Sequence, residues 1–228
     1  NVLLNDGSLF ALGGSGNNVI DLSGLSAAYD IEAADGNDTV TGSSGKNWIS
    51  GGRGADTVAG GGGTDNFGFE QGESPVVTGN LANGVAGTMD DGDTFTFAGG
   101  KADLIADLDL NEGVSFNGYL GDITGIAGPG KMATTPTNGQ LTDQGFFLVQ
   151  GDYSAATGVF TVNSATGRDT LVVYDGDSTS SITQTAVVLS SVVPSQLSTN
   201  VGSSWIQRIA GSAPAAPSAL YLQPGSDT

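Results

Sequence analysis

Residues 33–68 read AADGNDTVT, GSSGKNWIS, GGRGADTVA and GGGGTDNFG, four consecutive stretches of nine. The eighth place of each holds a large apolar residue: Val40, Ile49, Val58 and Phe67. Leu22 and Ile31 continue the nine-residue spacing upstream. Such a nonad divides into a six-residue turn and a short strand, and forms half a coil. Two nonads bring the chain back to the same side. Residues 18 apart therefore stack directly, separated by one strand spacing of about 4.8 Å. The apolar residues point inward as a narrow core, and the glycines supply turn angles that other residues reach only at a cost.

The same stacking brings acids together. Asp38 lies over Asp56, and Asn47 over Asp65. Two carboxylates that close repel each other. A hard divalent cation between them reverses the sign, and turn carbonyls complete an all-oxygen shell of about 6–8 ligands, the preference of calcium. Binding then joins successive coils and becomes part of folding. The candidate metal positions are Asp35, Asp38, Asn47, Asp56 and Asp65, with turn groups at Gly51, Arg53, Gly54, Gly60 and Gly62, and several ions are expected. A Gly/Asn/Asp-rich linker would have no reason to hold an apolar residue at period nine through six registers.

These nonads resemble the RTX (repeats-in-toxin) family of calcium-binding, type I-secreted bacterial proteins. Those starting at Gly51 and Gly60 fit the pattern G-G-x-G-x-D-x-U-x throughout. The one at Ala33 has alanines for its leading glycines, and the one at Gly42 has Asn47 in place of the acid. GGSGNNVID from Gly13 looks like a further copy, with Asn18 at the acid position and an offset of two residues before Ile31. Residues 24–32 keep only the apolar position. The resemblance implies an all-β fold: a right-handed parallel β-roll with calcium-binding turns, followed by a mainly antiparallel β region. It also implies that DLIADL at 103–108 is similar to the strand that often follows a last nonad. Asp103, Asp107 and Asp109 are then further calcium candidates, against the alternative of a strand with solvated acids on its outer face.

Three divisions are expected: 1–69 as the roll with an N-terminal cap strand, 70–200 as a β-rich region, and 201–228 as a Pro/Ala/Ser-rich tail. Phe67 and Phe69 are expected to close the last coil. Beyond it, strands are expected at Thr94–Phe97 and within Lys101–Leu110, another strand or a hairpin in 114–124, and a loop over 125–144. A meander of Phe146–Tyr153, Val159–Asn163, Thr170–Tyr174 and Ala186–Val193 should follow, their β-branched and aromatic residues separated by Gly/Asp/Ser turns. A short helix is expected within Ser198–Ile209.

Composition narrows the chemistry. The 228 residues include 24 acids, 6 bases, 38 glycines, no cysteine and no histidine, for a formal charge of −18. Such a chain should repel nucleic acid and anionic membranes and resist folding until cations screen it. Lack of histidine and cysteine removes zinc proteases of the HExxH type, Ser-His-Asp triads and Cys-His dyads. A paired-carboxylate hydrolase stays open on composition, but the acids lie mostly in Gly-rich turns, which suits metal binding better, so no enzyme is expected. No apolar run of about 20 residues is present to span a membrane. NVLLNDGSLFALGG lacks the basic start and long apolar stretch of a signal peptide, which suits a family whose export signal is C-terminal. The chain opens on Asn1 rather than Met, which leaves room for a further N-terminal portion.

The expected function is a secreted, extracellular or cell-surface structural protein that folds on calcium and self-assembles into a lattice, S-layer-like sheet or tube. Its partner would be itself. Asp90, Asp91 and Asp93 are candidates for calcium bridges between subunits. The alternatives are the C-terminal calcium-folding and secretion module of a larger exported enzyme, or a calcium-dependent adhesin with a cell-surface glycan as partner. An adhesin would show aromatics clustered over a groove. Trp48 and Trp205 are scattered in sequence.

Overall fold

The computed structural model describes residues 2–5, 8–70, 72–77, 91–116, 145–175, 184–199 and 205–210. Within them the chain is all-β, apart from 3-10 turns at Ala98–Gly100 and Pro194–Gln196. The nonads give short strands that alternate between two sheets. β2 (Ser8–Leu12), β4 (Asp30–Glu32), β6 (Trp48–Ser50) and β8 (Asn66–Phe69) enter one sheet. β3 (Val19–Asp21), β5 (Thr39–Thr41) and β7 (Thr57–Ala59) enter the other. Every pairing among these strands is parallel. In β4 to β7 only the middle residue is buried, so each strand contributes one side chain to the core and two to the outside.

The stacking register changes along the coil. Ala11 lies beside Ile31 and Ile20 beside Val40, each pair 20 residues apart. The spacing then settles at 18, with Ile31 beside Ile49, Val40 beside Val58 and Ile49 beside Phe67. Ile20 is therefore the inward partner of Val40, and the period-nine residue Leu22 falls just past β3. It is still buried, with its N–H donating to the Thr41 carbonyl at 2.8 Å.

Phe67 and Phe69 do not close the coil. β10 (Asp103–Ile105) pairs in parallel with β7, setting Ile105 beside Val58. β11 (Gly113–Phe116) pairs in parallel with β8, setting Val114 beside Phe67. Both partners are 47 residues apart, yet they continue the same two inner columns. Phe69 stacks on Phe116 with ring centroids 6.1 Å apart. The two sheets thus run unbroken past residue 69, where a division was expected.

The remaining strands finish each sheet. β1 (Val2–Asn5) forms an antiparallel hairpin with β2 at the start of the first sheet. β17 (Trp205–Arg208) and β16 (Leu197–Thr199) pair antiparallel beyond β11 at its far end. This hairpin replaces the helix expected within Ser198–Ile209. Ile206 faces the buried Val114, a partner that a short amphipathic helix would have had to find elsewhere. In the second sheet β15 (Gln184–Leu189) pairs in parallel with β10. β14 (Asp169–Asp175), β12 (Gly145–Ser154), β13 (Val159–Val162) and the two-residue β9 (Thr94–Phe95) follow, all antiparallel. The order differs from a meander, because β14 returns to β12 rather than to β13. β12 is ten residues long and pairs with both, Gly145–Gly151 with β14 and Gly151–Ser154 with β13.

β14 and β15 are buried on both faces, which explains their nearly continuous apolar runs. Val172, Val187 and Leu189 join the roll's core. Leu171, Val173, Ala186 and Val188 join a second core with Phe95, Phe97 and Phe160. Residues 117–124, the loop expected at 125–144, and the tail from 211 lie outside the described residues.

Candidate metal centre

The acid position of each coil sits two residues before the inward apolar residue, at the end of a turn. Its backbone N–H donates to the carboxylate of the coil stacked next to it. Asn18 donates to Asp38 Oδ1 at 2.6 Å, Asp38 to Asp56 Oδ1 at 2.7 Å, and Asp56 to Asp103 Oδ1 at 2.8 Å. On the other side Asn47 donates to Asp65 Oδ1 at 2.6 Å, and Asp65 to Glu112 Oε1 at 3.2 Å. Two columns result: Asn18, Asp38, Asp56 and Asp103, and Asn47, Asp65 and Glu112. One oxygen of each aspartate is thereby fixed by the main chain.

The other oxygen has no partner. Oδ2 of Asp38, Asp56, Asp65 and Asp103 is buried without a hydrogen bond. Leaving such an atom dry and unpaired costs about 1–3 kcal/mol, more when it is charged. The turn is shaped around it. A Cβ on Gly51 would collide with Asp56 Oδ2, and one on Gly60 with Asp65 Oδ2. Gly54 adopts φ +134°, and a Cβ there would strike the Gly36 carbonyl. Among the described residues no three acidic side chains converge as a metal cluster, so a cation between two stacked carboxylates has to draw its remaining ligands from turn carbonyls. Hard oxygen donors, orphaned charge and a glycine-lined cradle fit calcium.

The electrostatics agree. Burial pushes the Asp56 carboxyl up to about 7, with the charges of Asp38 and Glu73 adding to it against the Asp38 N–H. Burial raises Asp103 well above the usual range, with Asp56 and Glu73 contributing. Asp65 is raised by burial and by Asp107, and burial together with the Asp65 charge lifts Glu112 to about 7. Carboxylates held together without countercharge behave this way, and a divalent ion inverts the effect.

The other candidate residues take varied places. Asn47 Nδ2 donates to the carbonyls of Gly45 at 2.7 Å and Gly60 at 3.2 Å, and to Asp65 Oδ1 at 3.1 Å. Its amide thus supplies the positive end that a cation would bring to those oxygens. Asp107 spends both oxygens on amides, Gly60 N–H at 2.7 Å and Gly61 N–H at 3.0 Å, and so clamps a turn. Asp35 forms a backbone bridge with the exposed Arg53, whose N–H reaches the Ala34 carbonyl at 2.9 Å. Gly54 N–H donates to Glu73 O at 3.1 Å and Gly62 N–H to Ser43 O at 3.0 Å. Asp109 lies 4.0 Å from the Arg208 guanidinium. Asp91 Oδ1 accepts from Ser164 N–H at 2.7 Å, Asp93 is buried, and Asp90 lies outside the described residues.

Residues 32–67 match the RTX calcium-binding nonapeptide repeat, in four copies. None of the curated proteins compared matches the chain. The matched RTX segment stops short of Asp103 and Glu112, although both stand in the same columns as its acids. Glu112 escaped sequence reasoning. Its signal was present: Asp103 and Ile105, then Glu112 and Val114, repeat the acid-x-apolar pattern at a spacing of nine. Among the described residues no helix is long and apolar enough to cross a membrane.

Proposed function

We propose that this chain is a secreted calcium-binding structural protein that folds on calcium and assembles with copies of itself into an extracellular sheet or tube. The observation that carries the calcium reading is the set of buried, unpartnered carboxylate oxygens at Asp38, Asp56, Asp65 and Asp103. Asp38 with Asp56, Asp56 with Asp103, and Asp65 with Glu112 would hold the ions, helped by turn carbonyls such as those of Gly51, Arg53, Gly60 and Gly62. Bound calcium would supply the positive charge that lets the paired acids ionise inside the fold. The coil is read as a right-handed β-roll that extends through β11. Calorimetry, with circular dichroism in calcium and in chelator, tests this; no binding together with unchanged β-structure would refute it.

Assembly rests on charge and edges. A net charge of −18 opposes contact between subunits over about 10 Å at 0.1 M salt, and calcium lowers it. Among the described residues β3 is the outermost strand of its sheet, and its Val19 is 80% exposed. An unpaired edge of this kind is a template for another chain. Light scattering and electron microscopy across a calcium titration test assembly. A sharp monomer at millimolar calcium and high protein concentration would favour the secretion-module reading instead. The chain is read as non-catalytic, because it has no histidine or cysteine to serve as base or nucleophile.

A further inference from the structure

We propose that the outer face of the first sheet carries a binding groove for an organic cation, the ammonium or guanidinium end of a lysine or arginine side chain presented by a basic peptide. With the middle residues of β4 and β6 turned inward, the flanking residues form two rows across the sheet. One row sets Phe10 beside Asp30, Asp30 beside Trp48 and Trp48 beside Asn66. The next sets Leu12 beside Glu32, Glu32 beside Ser50 and Ser50 beside Gly68. Gly68 has no side chain, and the Trp48 ring covers it; a Cβ there would lie 3.0 Å from Trp48 Cζ2. The turn after β8 then folds back over the sheet. Glu70 N–H donates to Glu73 Oε2 at 2.7 Å, and Gly54 N–H ties down the Glu73 carbonyl at 3.1 Å.

These pieces enclose a cleft of about 450 Å³ with Phe10, Leu12 and Trp48 as its apolar wall and Asp30, Glu32, Glu70 and Glu73 around it. Four carboxylates in one cleft demand positive charge. Among the described residues Arg53, which is exposed, is a base that acts on Glu73. A compact metal ion does not fit: among the described residues no three of these acids converge on one point, and the wall between them is Phe10, Leu12 and Trp48 rather than the glycine-lined turn of the buried columns. A larger, diffuse cation does: its charge can meet separated carboxylates while its flat or methylene surface lies on the indole face, which attracts cations. A neutral sugar would use the ring but leave the four charges unmatched. The groove residues are other than the column acids Asp38, Asp56, Asp65 and Asp103, and Glu73 joins the two regions by its charge on Asp56 and Asp103.

The test uses a Trp205→Phe chain at saturating calcium, in which Trp48 is the remaining indole. It is titrated at constant ionic strength with acetyl-Gly-Arg-Gly-amide and with the same peptide carrying neutral citrulline. Saturable quenching by the arginine peptide alone is expected, weakened up to about five-fold by Glu32→Gln and similarly by Asp30→Asn, both at exposed positions. Equal responses to the two peptides would overturn the proposal. So would saturation by a neutral oligosaccharide that Glu32→Gln leaves unchanged, or loss of the arginine response as calcium rises at fixed ionic strength. If Trp205→Phe fails to fold, calorimetry of the unaltered chain with the two peptides reads the same difference.

Discussion

The roll and the β12–β15 sheet are built from the same strand chemistry, but they satisfy their buried polar groups in opposite ways. In β12–β15 the buried acid is Asp169, and both its oxygens are taken, one by Ser191 N–H at 2.9 Å and one by Tyr153 N–H at 2.8 Å. In the roll each buried aspartate keeps one oxygen unpaired. The long strands of β12 and β14 also bury side chains on both faces, whereas each of β4 to β7 buries one. One region can therefore stand on apolar packing, while the buried carboxylates of the other call for a countercharge, which calcium would supply under the proposed function.

Chelation should break this comparison open most widely. Without calcium, backbone amides of residues 38–67 should lose protection from hydrogen exchange, while those of β12, β14 and β15 keep it longer. Uniform loss across both regions would mean that the two fold only as one unit. Next in size, Leu171→Ala should cost about 2–5 kcal/mol by opening a cavity in the second core, by the same amount at low and high calcium. Asp56→Ala should cost about 3 kcal/mol at saturating calcium, because it leaves Asp38 and Asp103 facing an underliganded ion, and much less in chelator. Thermal melts of both variants across a calcium series separate the two behaviours.

A smaller effect is expected from pH, with opposite signs in the two states. Without metal, Asp56 and Glu112 have folded values near 7, above the ordinary carboxylate range. Their protonated forms favour the folded state, so the contribution is complete below about pH 4 and is lost as pH rises through about 7. Acidifying the chelated protein from pH 7.5 to 5 should increase ordered β-structure. Acidifying the calcium-loaded protein should weaken it, because protons then compete with the ion. The smallest change is Asn18→Ala, under about 1 kcal/mol, since Asn18 is neutral and lies in a partly exposed turn. Equal melting points for Asn18→Ala and Asp56→Ala at fixed calcium would refute the register of the columns.

Much of this was legible in the sequence because period nine ties the inward residue and the acid to one another. Val40, Val58, Asp38 and Asp56 stack as the spacing requires. The spacing misled at Leu22, where two extra residues per coil shift the inward position to Ile20. It also left β10 and β11 outside the roll, because nothing local links position 58 to position 105. The pairing of β14 with β12 was hidden for a related reason: adjacent strands in sequence look like a hairpin, and the length of β12 that lets it serve two partners is a property of the sheet. Trp48 and Trp205 looked isolated along the chain. Folded, each covers a glycine on the neighbouring strand, Gly68 and Gly113.

The jump in stacking distance from 18 to 47 residues leaves the inner columns undisturbed. Closing the longer excursion costs only about 1 kcal/mol more than closing the shorter one. A coil of this design is thus indifferent to how much polypeptide travels between one layer and the next, provided the layer's acid and apolar residue return in phase. The stretch between β8 and β10 is accordingly a natural graft point. A foreign loop or small domain inserted there would be carried on the flank of a stacked scaffold, and counting repeats by their linear period would miss the layer that lies beyond it.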